Sequence, residues 1–379
     1  MRVTAAPGPP RSLYLHVPFC PHVCPYCDFH KMRRDERLVA RYLDRLEQEI
    51  AEAGTRFGGP LETLYLGGGT PSHLGDDELR RVLEAVGRAF DLRAAREVTL
   101  EADPATFDAA RARFFAELGV TRLSIGLQST QDAVLRFLGR AHDAATGLDA
   151  VATAVASGLE VSADLILAVP GQDPAEDLDR LAAIGVGHVS VYTLTIEPYT
   201  PFARRKVTVD EDRAADDYAL AGERLARHGY RRYEVSNHAL PGREAVHNQV
   251  YWHGAYFLGL GPSAAGYLPL GDGTDPADLG QRVTNPPIKA WLRGDPPERD
   301  PLTPHEHLLE RLMTGLRTTR GVDLDALTTR AGIDPRDRFA PVLEDEVAAG
   351  RLTLDGATLR ATDVGLPLLD AILRRFFAA

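Results

Sequence analysis

The stretch Leu13–Phe29, which reads LYLHVPFCPHVCPYCDF, contains all three cysteines of the chain, Cys20, Cys24 and Cys27. Their C-x3-C-x2-C spacing places three thiolates on one short loop directly after a β-rich run. A cubane iron–sulfur cluster has four irons, so three cysteine ligands leave one iron without a protein ligand. The spacing therefore predicts a [4Fe–4S] cluster whose fourth iron is open to a bidentate small molecule.

The open iron also indicates which molecule to expect. The amino and carboxylate groups of S-adenosylmethionine bind such an iron in radical enzymes, where the electron of the cluster cleaves the carbon–sulfur bond. The alternative from spacing alone is a structural zinc site, in which His22 or His30 supplies the fourth ligand. The rest of the chain decides between these two interpretations.

Composition restricts the class of protein. The chain has 379 residues, enough for one large domain and a smaller one, and its net charge of −11 argues against general nucleic-acid binding. No apolar run approaches the ~20 residues of a membrane helix, so at most peripheral membrane association is expected. Residues 1–12 lack the apolar core of a signal peptide and are expected to form a disordered lead-in. The clustered cysteines exclude a disulfide framework and indicate a reducing cytoplasm.

Short β-rich runs alternate with amphipathic helical runs over the first half of the chain. The predicted strands are Leu13–Val17, Glu62–Leu66, Glu97–Leu100, Arg122–Ile125, Glu160–Leu167 and His188–Leu194. Six β-α repeats imply a parallel sheet with right-handed crossovers, and their number favours a partial (β/α)6 barrel of the TIM type. Chemistry in such barrels occurs at the carboxyl ends of the strands. A doubly wound open sheet is the alternative fold.

The C-terminal part is predicted to be a separate, smaller domain. Asp295–Pro304 carries four prolines and three acidic residues and is interpreted as a linker. This divides the chain into a barrel with its extension over residues 13–294 and a helical domain over residues 305–379. The helices of that domain surround a hairpin signal at Asp355-Gly356, an order that resembles a winged-helix module. Because it is not strongly basic, a structural or partner-docking role is favoured over DNA binding.

Polar residues follow several of the predicted strands. Gly67-Gly68-Gly69-Thr70-Pro71 allows backbone groups to approach a ligand without Cβ clashes, and beside the cysteines it predicts a cradle for the amino group of S-adenosylmethionine. Glu101 is a candidate acceptor for ribose hydroxyls or an amino group, whereas Asp103 better suits a helix cap. Asp164 interrupts an apolar strand, so it either pairs with Arg140 or faces the site.

Aromatic residues form two further groups. Tyr14 precedes the first cysteine, and Tyr26 lies between the second and the third. Each ring either contacts the cluster or its ligand or simply packs against the protein. The segment His247–His253 forms a second cluster, in which His247 and Tyr251 are possible axial ligands of haem iron. The alternative is a packed aromatic loop that closes the edge of the barrel.

These motifs together resemble the radical S-adenosylmethionine superfamily, and more narrowly the oxygen-independent coproporphyrinogen III oxidase-like family. LYLHVPFCPHVCPYC, YLGGGTP, LEADP, GLQS and DLILAVPGQ occur in the order of that family, and the resemblance runs from about Leu13 to the C-terminus. It implies a partial barrel with a [4Fe–4S] cluster on the three cysteines and S-adenosylmethionine on the fourth iron. By position it assigns Tyr14, Gly68 and Glu101 to one nucleoside site. It assigns to a neighbouring second site Tyr26, Gly69, Thr70, Gln128, Arg140 and Asp164.

Two departures point to the haem-chaperone (HemW) branch of that family. The true oxidases have a further cysteine where this chain has Phe29, and they carry a longer extension before the first strand. The branch also has an H-N-x-x-Y-W signature, present here as His247–Trp252. The resemblance implies a carrier that binds haem and delivers it to respiratory acceptor proteins. It is also compatible with a homodimer. His247→Ala is then expected to weaken haem binding. The alternatives are an oxidase that decarboxylates two propionates of coproporphyrinogen III, and a zinc-stabilised barrel with an unrelated substrate.

Overall fold

The fold was analysed in a computed structural model that describes residues 8–379. Most of the predicted lead-in, residues 1–7, therefore lies outside the described residues, and Ser12 already belongs to the first strand. The repeating part of the chain comprises β1 (Ser12–Val17), β2 (Phe19–Cys20), β3 (Met32–Arg33), α1 (Glu36–Phe57), β4 (Thr63–Gly68), α2 (Asp76–Ala89), β5 (Glu97–Ala102), α3 (Ala109–Glu117), β6 (Arg122–Gln128), α4 (Asp132–Leu138), α5 (Ala144–Ala156), β7 (Glu160–Leu167), α6 (Pro174–Ile184) and β8 (His188–Thr193).

A mixed segment follows the sixth long parallel strand. It comprises α7 (Pro201–Arg204), α8 (Glu211–Arg227), β9 (Arg231–Arg232), β10 (Asn237–Ala239), α9 (Val246–His253), β11 (Leu258–Leu260), β12 (Ala265–Leu268), β13 (Gln281–Thr284), α10 (Ile288–Trp291) and β14 (Glu298–Pro301). The C-terminal part comprises α11 (Pro304–Gly315), β15 (Val322–Asp323), α12 (Leu324–Ala331), α13 (Pro335–Arg338), α14 (Ala340–Ala348), β16 (Leu352–Asp355), β17 (Thr358–Ala361) and α15 (Leu369–Ala378).

Nine strands form one sheet in the order β11-β1-β4-β5-β6-β7-β8-β10-β9. Strands β1, β4, β5, β6, β7 and β8 are parallel and follow one another in sequence order. Because this order never reverses, the doubly wound alternative, which needs a switch point, is wrong. Within residues 8–379 the edge strands β11 and β9 do not pair with each other. The predicted partial barrel is therefore confirmed.

The barrel strands present two chemically different faces. Because side chains alternate along a strand, one set lies under the helices and the other lines the interior. Leu64, Leu66, Leu100 and Leu123 belong to the first set and to the main apolar core. The second set surrounds a cavity of about 360 Å³ and is polar, comprising Tyr65, Thr99, Glu101, Arg122, Ser124, Ser162, Asp164, His188 and Ser190. Strands buried on both faces are usually apolar throughout, so this polar interior marks a binding region.

Two features differ from the sequence-based expectation. The aromatic and glycine-rich region around residue 247 folds into helix α9 and strand β11, and β11 adds a seventh parallel strand beside β1. The segment Asp295–Pro304, interpreted as a linker, contains β14, which pairs antiparallel with β13. Prolines suit such an edge strand, because the backbone groups on its outer side need no partner in the sheet.

A second apolar core forms within the C-terminal part. It is built from α11, α12, α14 and α15 around residues such as Leu308, Phe339, Leu359 and Phe376. The predicted hairpin is confirmed, with β16 and β17 joined through Gly356 at φ 58°. The exact domain boundaries stay a prediction. Within the described part of the chain, no helix has the length and apolar character needed to cross a membrane.

Candidate functional site at the barrel mouth

The cysteine loop leaves the barrel directly after β1 and is held at both ends. Cys20 ends strand β2, which pairs with β3, and the Met32 amide donates to the Pro18 carbonyl at 2.8 Å. Cys20 and Cys24 are buried, whereas Cys27 is half-buried. All three line one cavity at the carboxyl ends of the strands. The loop therefore presents its thiols to the barrel mouth, as the strand pattern predicts.

The glycine run after β4 packs directly against the start of this loop. The Gly69 amide donates to the Val17 carbonyl at 2.8 Å, and the Thr70 amide donates to the Phe19 carbonyl at 2.9 Å. A Cβ on Gly69 would lie 2.8 Å from the Val17 carbonyl oxygen, so no side chain fits. Gly68 has φ 109°, which favours glycine. The predicted cradle is thus a tight backbone contact that shapes one wall of the cavity.

Burial and neighbouring charges act on the three thiols in opposite directions. Burial raises the pKa of Cys20 to about 11, with a smaller opposing effect from its hydrogen bond to Thr70. Burial also opposes ionisation of Cys24, but His22 and Arg140 outweigh it and bring the pKa of that thiol below its usual value. The His22 Nε2 and Arg140 Nη1 atoms lie 3.3 Å and 3.4 Å from the Cys24 sulfur. Cys24 is therefore the thiol most readily available as a thiolate ligand.

The donor set fits a [4Fe–4S] cluster better than a single zinc ion. Three thiols face a shared cavity whose other walls include Gly68, Gly69 and Gly126, which leave room for a bulky inorganic group. Over residues 8–379, no three side chains of the metal-binding types converge on a position suited to one ion. A cluster spreads its ligands over several irons, so it needs no convergence on one point.

Arg140 has a different partner from the one considered in the sequence. Its Nη2 atom donates to Asp103 and to the Gly126 carbonyl, both at 2.7 Å, and the ion pair is almost fully buried. Of the two alternatives left open for Asp164, pairing with Arg140 is therefore wrong, and Asp164 lines the cavity instead. Asp103 also caps the following turn through the Ala105 amide at 2.9 Å. Arg140 ties β5, β6 and the cysteine loop together at the mouth.

Glu101 lies at the centre of the predicted first nucleoside site. Its two oxygens accept from the Tyr65 hydroxyl at 2.8 Å and from the Gly68 amide at 2.9 Å. Burial raises the pKa of the Glu101 carboxyl. Each carboxylate oxygen has a second lone pair, so the group can still accept from a ligand. Tyr14 lies beside Tyr65, with ring centroids 6.0 Å apart, and its hydroxyl bonds His16 at 3.0 Å.

The residues predicted for the second site line the same mouth. Gln128 ends β6 with φ 70°, a strained conformation for a residue with a side chain, where the register of β6 and β7 shifts. Asp164 faces the interior and accepts from Ser124 at 3.5 Å, and burial raises the pKa of its carboxyl to about 7. Tyr26 packs on Phe202 of α7 at 6.3 Å. Their assignment to a second S-adenosylmethionine stays a prediction.

His247 is fully buried and lies behind the mouth residues, with its ring against that of Tyr65. Its Nδ1 bonds the Thr63 hydroxyl at 2.8 Å, and its Nε2 bonds the Tyr251 hydroxyl at 2.7 Å. Because both ring nitrogens are engaged, this conformation offers neither of them to haem iron. The Tyr251 hydroxyl shares this contact, and Tyr251 also lines a cavity together with Tyr14, Gly68 and Glu101. The haem-ligand role of both residues stays a prediction, and for His247 this geometry does not support it.

Two residues of the site, His16 and Tyr65, were not singled out from the sequence, and His22 and Asp103 make contacts beyond the zinc ligation and helix capping considered for them. His16, His22 and Tyr65 contact the predicted site residues directly, and Asp103 binds Arg140. The alternation along β1 and β4 places Tyr14 with His16, and Tyr65 with Gly67, on the interior face. That alternation could have identified His16 and Tyr65. The partner of Arg140 had no comparable signal.

Comparison with known proteins agrees with this geometry. A model of the Radical SAM superfamily matches residues 14–182, and a model of the HemN C-terminal domain matches residues 302–368. The heme chaperone HemW of Mycobacterium tuberculosis (strain ATCC 25618 / H37Rv) is 35% identical over 97% of this chain and 95% of its own. The heme chaperone HemW of Escherichia coli (strain K12) is 32% identical over 98% and 99%. The chain belongs to the HemW family.

The fold of this HemW family member is shared with a solved structure of known chemistry. Coproporphyrinogen III oxidase (HemN) from Escherichia coli superposes with a TM-score of 0.83 over 98% of this chain and 91% of that one, at 23% identity. At this identity the likeness shows the radical SAM fold alone. That superfamily implies a [4Fe–4S] cluster and S-adenosylmethionine, for which the mouth residues provide fitting donors.

Proposed function

We propose that this chain is a haem chaperone that holds a [4Fe–4S] cluster and S-adenosylmethionine at the barrel mouth and delivers haem to respiratory acceptor proteins. The observation that carries the proposal is full-length similarity to proteins named heme chaperone HemW, extending over both the barrel and the C-terminal part. The three-cysteine loop, facing a cavity bounded by the glycine run, supports the cofactor part.

In this proposal Cys20, Cys24 and Cys27 ligate the cluster. Gly68 and Glu101 hold the amino and ribose groups of S-adenosylmethionine, with Tyr14 beside them. The cluster supplies an iron with an open ligand position and a transferable electron. The contribution of the chain is to bury the thiols, to stabilise the Cys24 thiolate through His22 and Arg140, and to fix the carboxylate that receives the nucleoside.

Phe29 supports a chaperone rather than an oxidase. It occupies the position where the true oxidases carry a further cysteine, and 65% of its surface is exposed beside the cavity. An exposed aromatic ring at a binding region suits a flat apolar ligand such as haem. It offers no donor for a reaction at the mouth.

The test is titration of the anaerobically reconstituted protein with haem, followed by mixing with an apo-form of a respiratory haem protein. We expect a saturable Soret change and transfer of haem to the acceptor. In a parallel reaction with coproporphyrinogen III, S-adenosylmethionine and a reductant, we expect no protoporphyrinogen. Formation of protoporphyrinogen, or lack of haem binding, would refute the proposal. Size-exclusion chromatography with and without the cluster tests the expected homodimer.

A further inference from the structure

Helix α9, which carries the H-N-x-x-Y-W signature, is fixed at both ends, to barrel strand β5 at its N-terminus and to helix α11 of the C-terminal part at its C-terminus. At its N-terminus, the Glu97 carboxylate accepts from the Val246 amide at 2.9 Å and from the His247 amide at 2.8 Å. At its C-terminus, Arg311 of α11 donates to the Trp252 carbonyl at 2.7 Å. The amides at the start of a helix and the carbonyls at its end have no partners within the helix. In α9, some of these groups bond to the charged side chains of Glu97 and Arg311. The helix therefore holds its side chains in a defined place.

The His247 ring projects from this helix onto β4. It has no exposed surface, and its two nitrogens bond Thr63 and Tyr251, as described above. A neutral imidazole has one donor and one acceptor, and both partners are hydroxyls that can serve either role. The ring therefore makes both of its hydrogen bonds without a charge. Its face lies against Tyr65, with ring centroids 5.1 Å apart.

Tyr65 connects this ring to the nucleoside site. Its hydroxyl donates to the Oε1 atom of Glu101 at 2.8 Å, while the other oxygen of Glu101 accepts from the Gly68 amide. The Tyr14 ring lies on a second side of Tyr65. A Cβ on Gly67 would lie 2.7 Å from the Tyr65 ring and 2.8 Å from the Glu101 carboxylate. Tyr65 is therefore held by several neighbours while one side of it lines the cavity, and its hydroxyl is one of the two protein donors that hold the carboxylate.

We propose that His247 is a positioning residue for S-adenosylmethionine: its ring fixes Tyr65, and Tyr65 fixes the Glu101 carboxylate that receives the ligand. The inference rests on the cofactor part of the proposed function and is independent of where haem binds. It gives the signature histidine a role through protein contacts instead of through iron ligation. The path from His247 to the mouth consists of one ring contact and one hydrogen bond.

The test is a double-mutant cycle with Tyr65→Phe and His247→Ala in the reconstituted holo-protein, using S-adenosylmethionine itself as the probe. Tyr65→Phe keeps the ring and removes only the hydrogen bond to Glu101. We expect each single variant to raise the Kd for S-adenosylmethionine about tenfold, because each loosens a hydrogen bond to a charged group. We expect the double variant to bind no more weakly than Tyr65→Phe alone, since His247 acts through Tyr65. Independent, multiplying effects would overturn the inference.

A matched control lies on the same helix. His253 is half-buried, and its Nδ1 bonds the Gln249 carbonyl within α9, away from Tyr65. His253→Ala should leave the Kd unchanged. If His247→Ala yields no folded protein, His247→Gln, which retains hydrogen-bonding groups, replaces it in the cycle. We then expect a smaller rise in Kd than for Tyr65→Phe.

Parallel haem titrations separate this inference from the proposed function. An unchanged Kd for S-adenosylmethionine in His247→Ala, with weakened haem binding, would overturn the inference and leave the chaperone proposal standing. Lack of haem binding by the wild type, with the expected non-additive loss of S-adenosylmethionine affinity in the variants, would overturn the chaperone proposal and support the inference. Absence of S-adenosylmethionine binding by the wild type would overturn the inference.

Discussion

The cysteine loop and helix α9 carry the two most distinctive motifs of the chain, and they use their polar atoms in opposite ways. The loop turns three thiols toward a cavity at the barrel mouth. In α9, His247 is fully buried and both its nitrogens are bonded inside the protein. The comparison teaches that a motif rich in possible ligands does not by itself mark a ligand site. What decides that is whether the donor atoms face a cavity, as the three thiols do, or are surrounded by protein, as the His247 ring is.

The largest expected effect concerns the loop. Cys24→Ala should abolish cluster assembly, because two thiolates cannot hold the remaining irons of the cluster. Iron and sulfide per chain, measured after anaerobic reconstitution, should fall to background. His22→Ala is the comparison variant, since it removes a contact to the Cys24 sulfur and leaves all three thiols in place. Two results together would favour the zinc interpretation: the wild type contains zinc and no sulfide, and His22→Ala loses the bound metal.

The next effect concerns the anchoring of α9. The Glu97–Arg122 ion pair is buried, and Glu97 also accepts from two amides of α9. Glu97→Gln should lower the free energy of unfolding by about 3–5 kcal/mol, because it leaves the Arg122 charge unpaired. Urea denaturation measures this. Glu62→Gln, at an exposed pair with Arg11, should cost less than about 1 kcal/mol. Equal effects of the two variants would contradict the anchoring role.

A smaller effect is the pH dependence that His247 confers. Burial lowers the pKa of His247 to about 3, whereas the unfolded residue titrates near 6.5. The stability it contributes is complete above pH 6.5 and is lost as the pH falls toward 3, because only the unfolded state binds the proton. Between pH 6.5 and 4.5 the wild type should lose about 2–3 kcal/mol more than His247→Gln. Parallel stability curves for the two proteins would show that His247 is protonated in the fold.

The smallest effect returns to the loop. Phe29→Ser should change the free energy of unfolding by less than about 0.5 kcal/mol and leave the iron content unchanged, since the ring is exposed. Phe19→Ala, at the fully buried aromatic residue just before Cys20, should cost about 3–5 kcal/mol. Thermal denaturation of both variants measures the contrast. A destabilised Phe29→Ser would mean that the ring packs against another part of the protein.

Much of the fold follows from local pattern. The six predicted parallel strands, the capped amphipathic helices between them and the C-terminal hairpin depend on side-chain alternation and turn residues that neighbours in sequence decide. The order of motifs along the chain also indicated the family, which the comparisons confirm. Strand β11 escaped detection because its three residues, Leu-Gly-Leu, are too few to show a strand pattern.

The candidate site was also predictable from the sequence only in part. The cysteine spacing, the glycine run and Glu101 each lie at the end of a strand, so the barrel rule alone brought them together at the mouth. The partner of Arg140 depended on packing between loops, which selected Asp103 over Asp164. No local signal indicates whether Arg140 pairs with Asp103, directly after β5, or with Asp164, inside β7.

The sequence by itself determined that three thiols share one loop, that the chain forms a parallel barrel, and that the carboxyl ends of its strands are polar. These properties depend on contacts between near neighbours and on the period of a strand. Only the tertiary structure decided the environment of His247, whose bond to Thr63 spans 184 residues of sequence. Burial and the pairing of polar atoms depend on which distant segments meet, and that information is not carried by any single stretch of the chain.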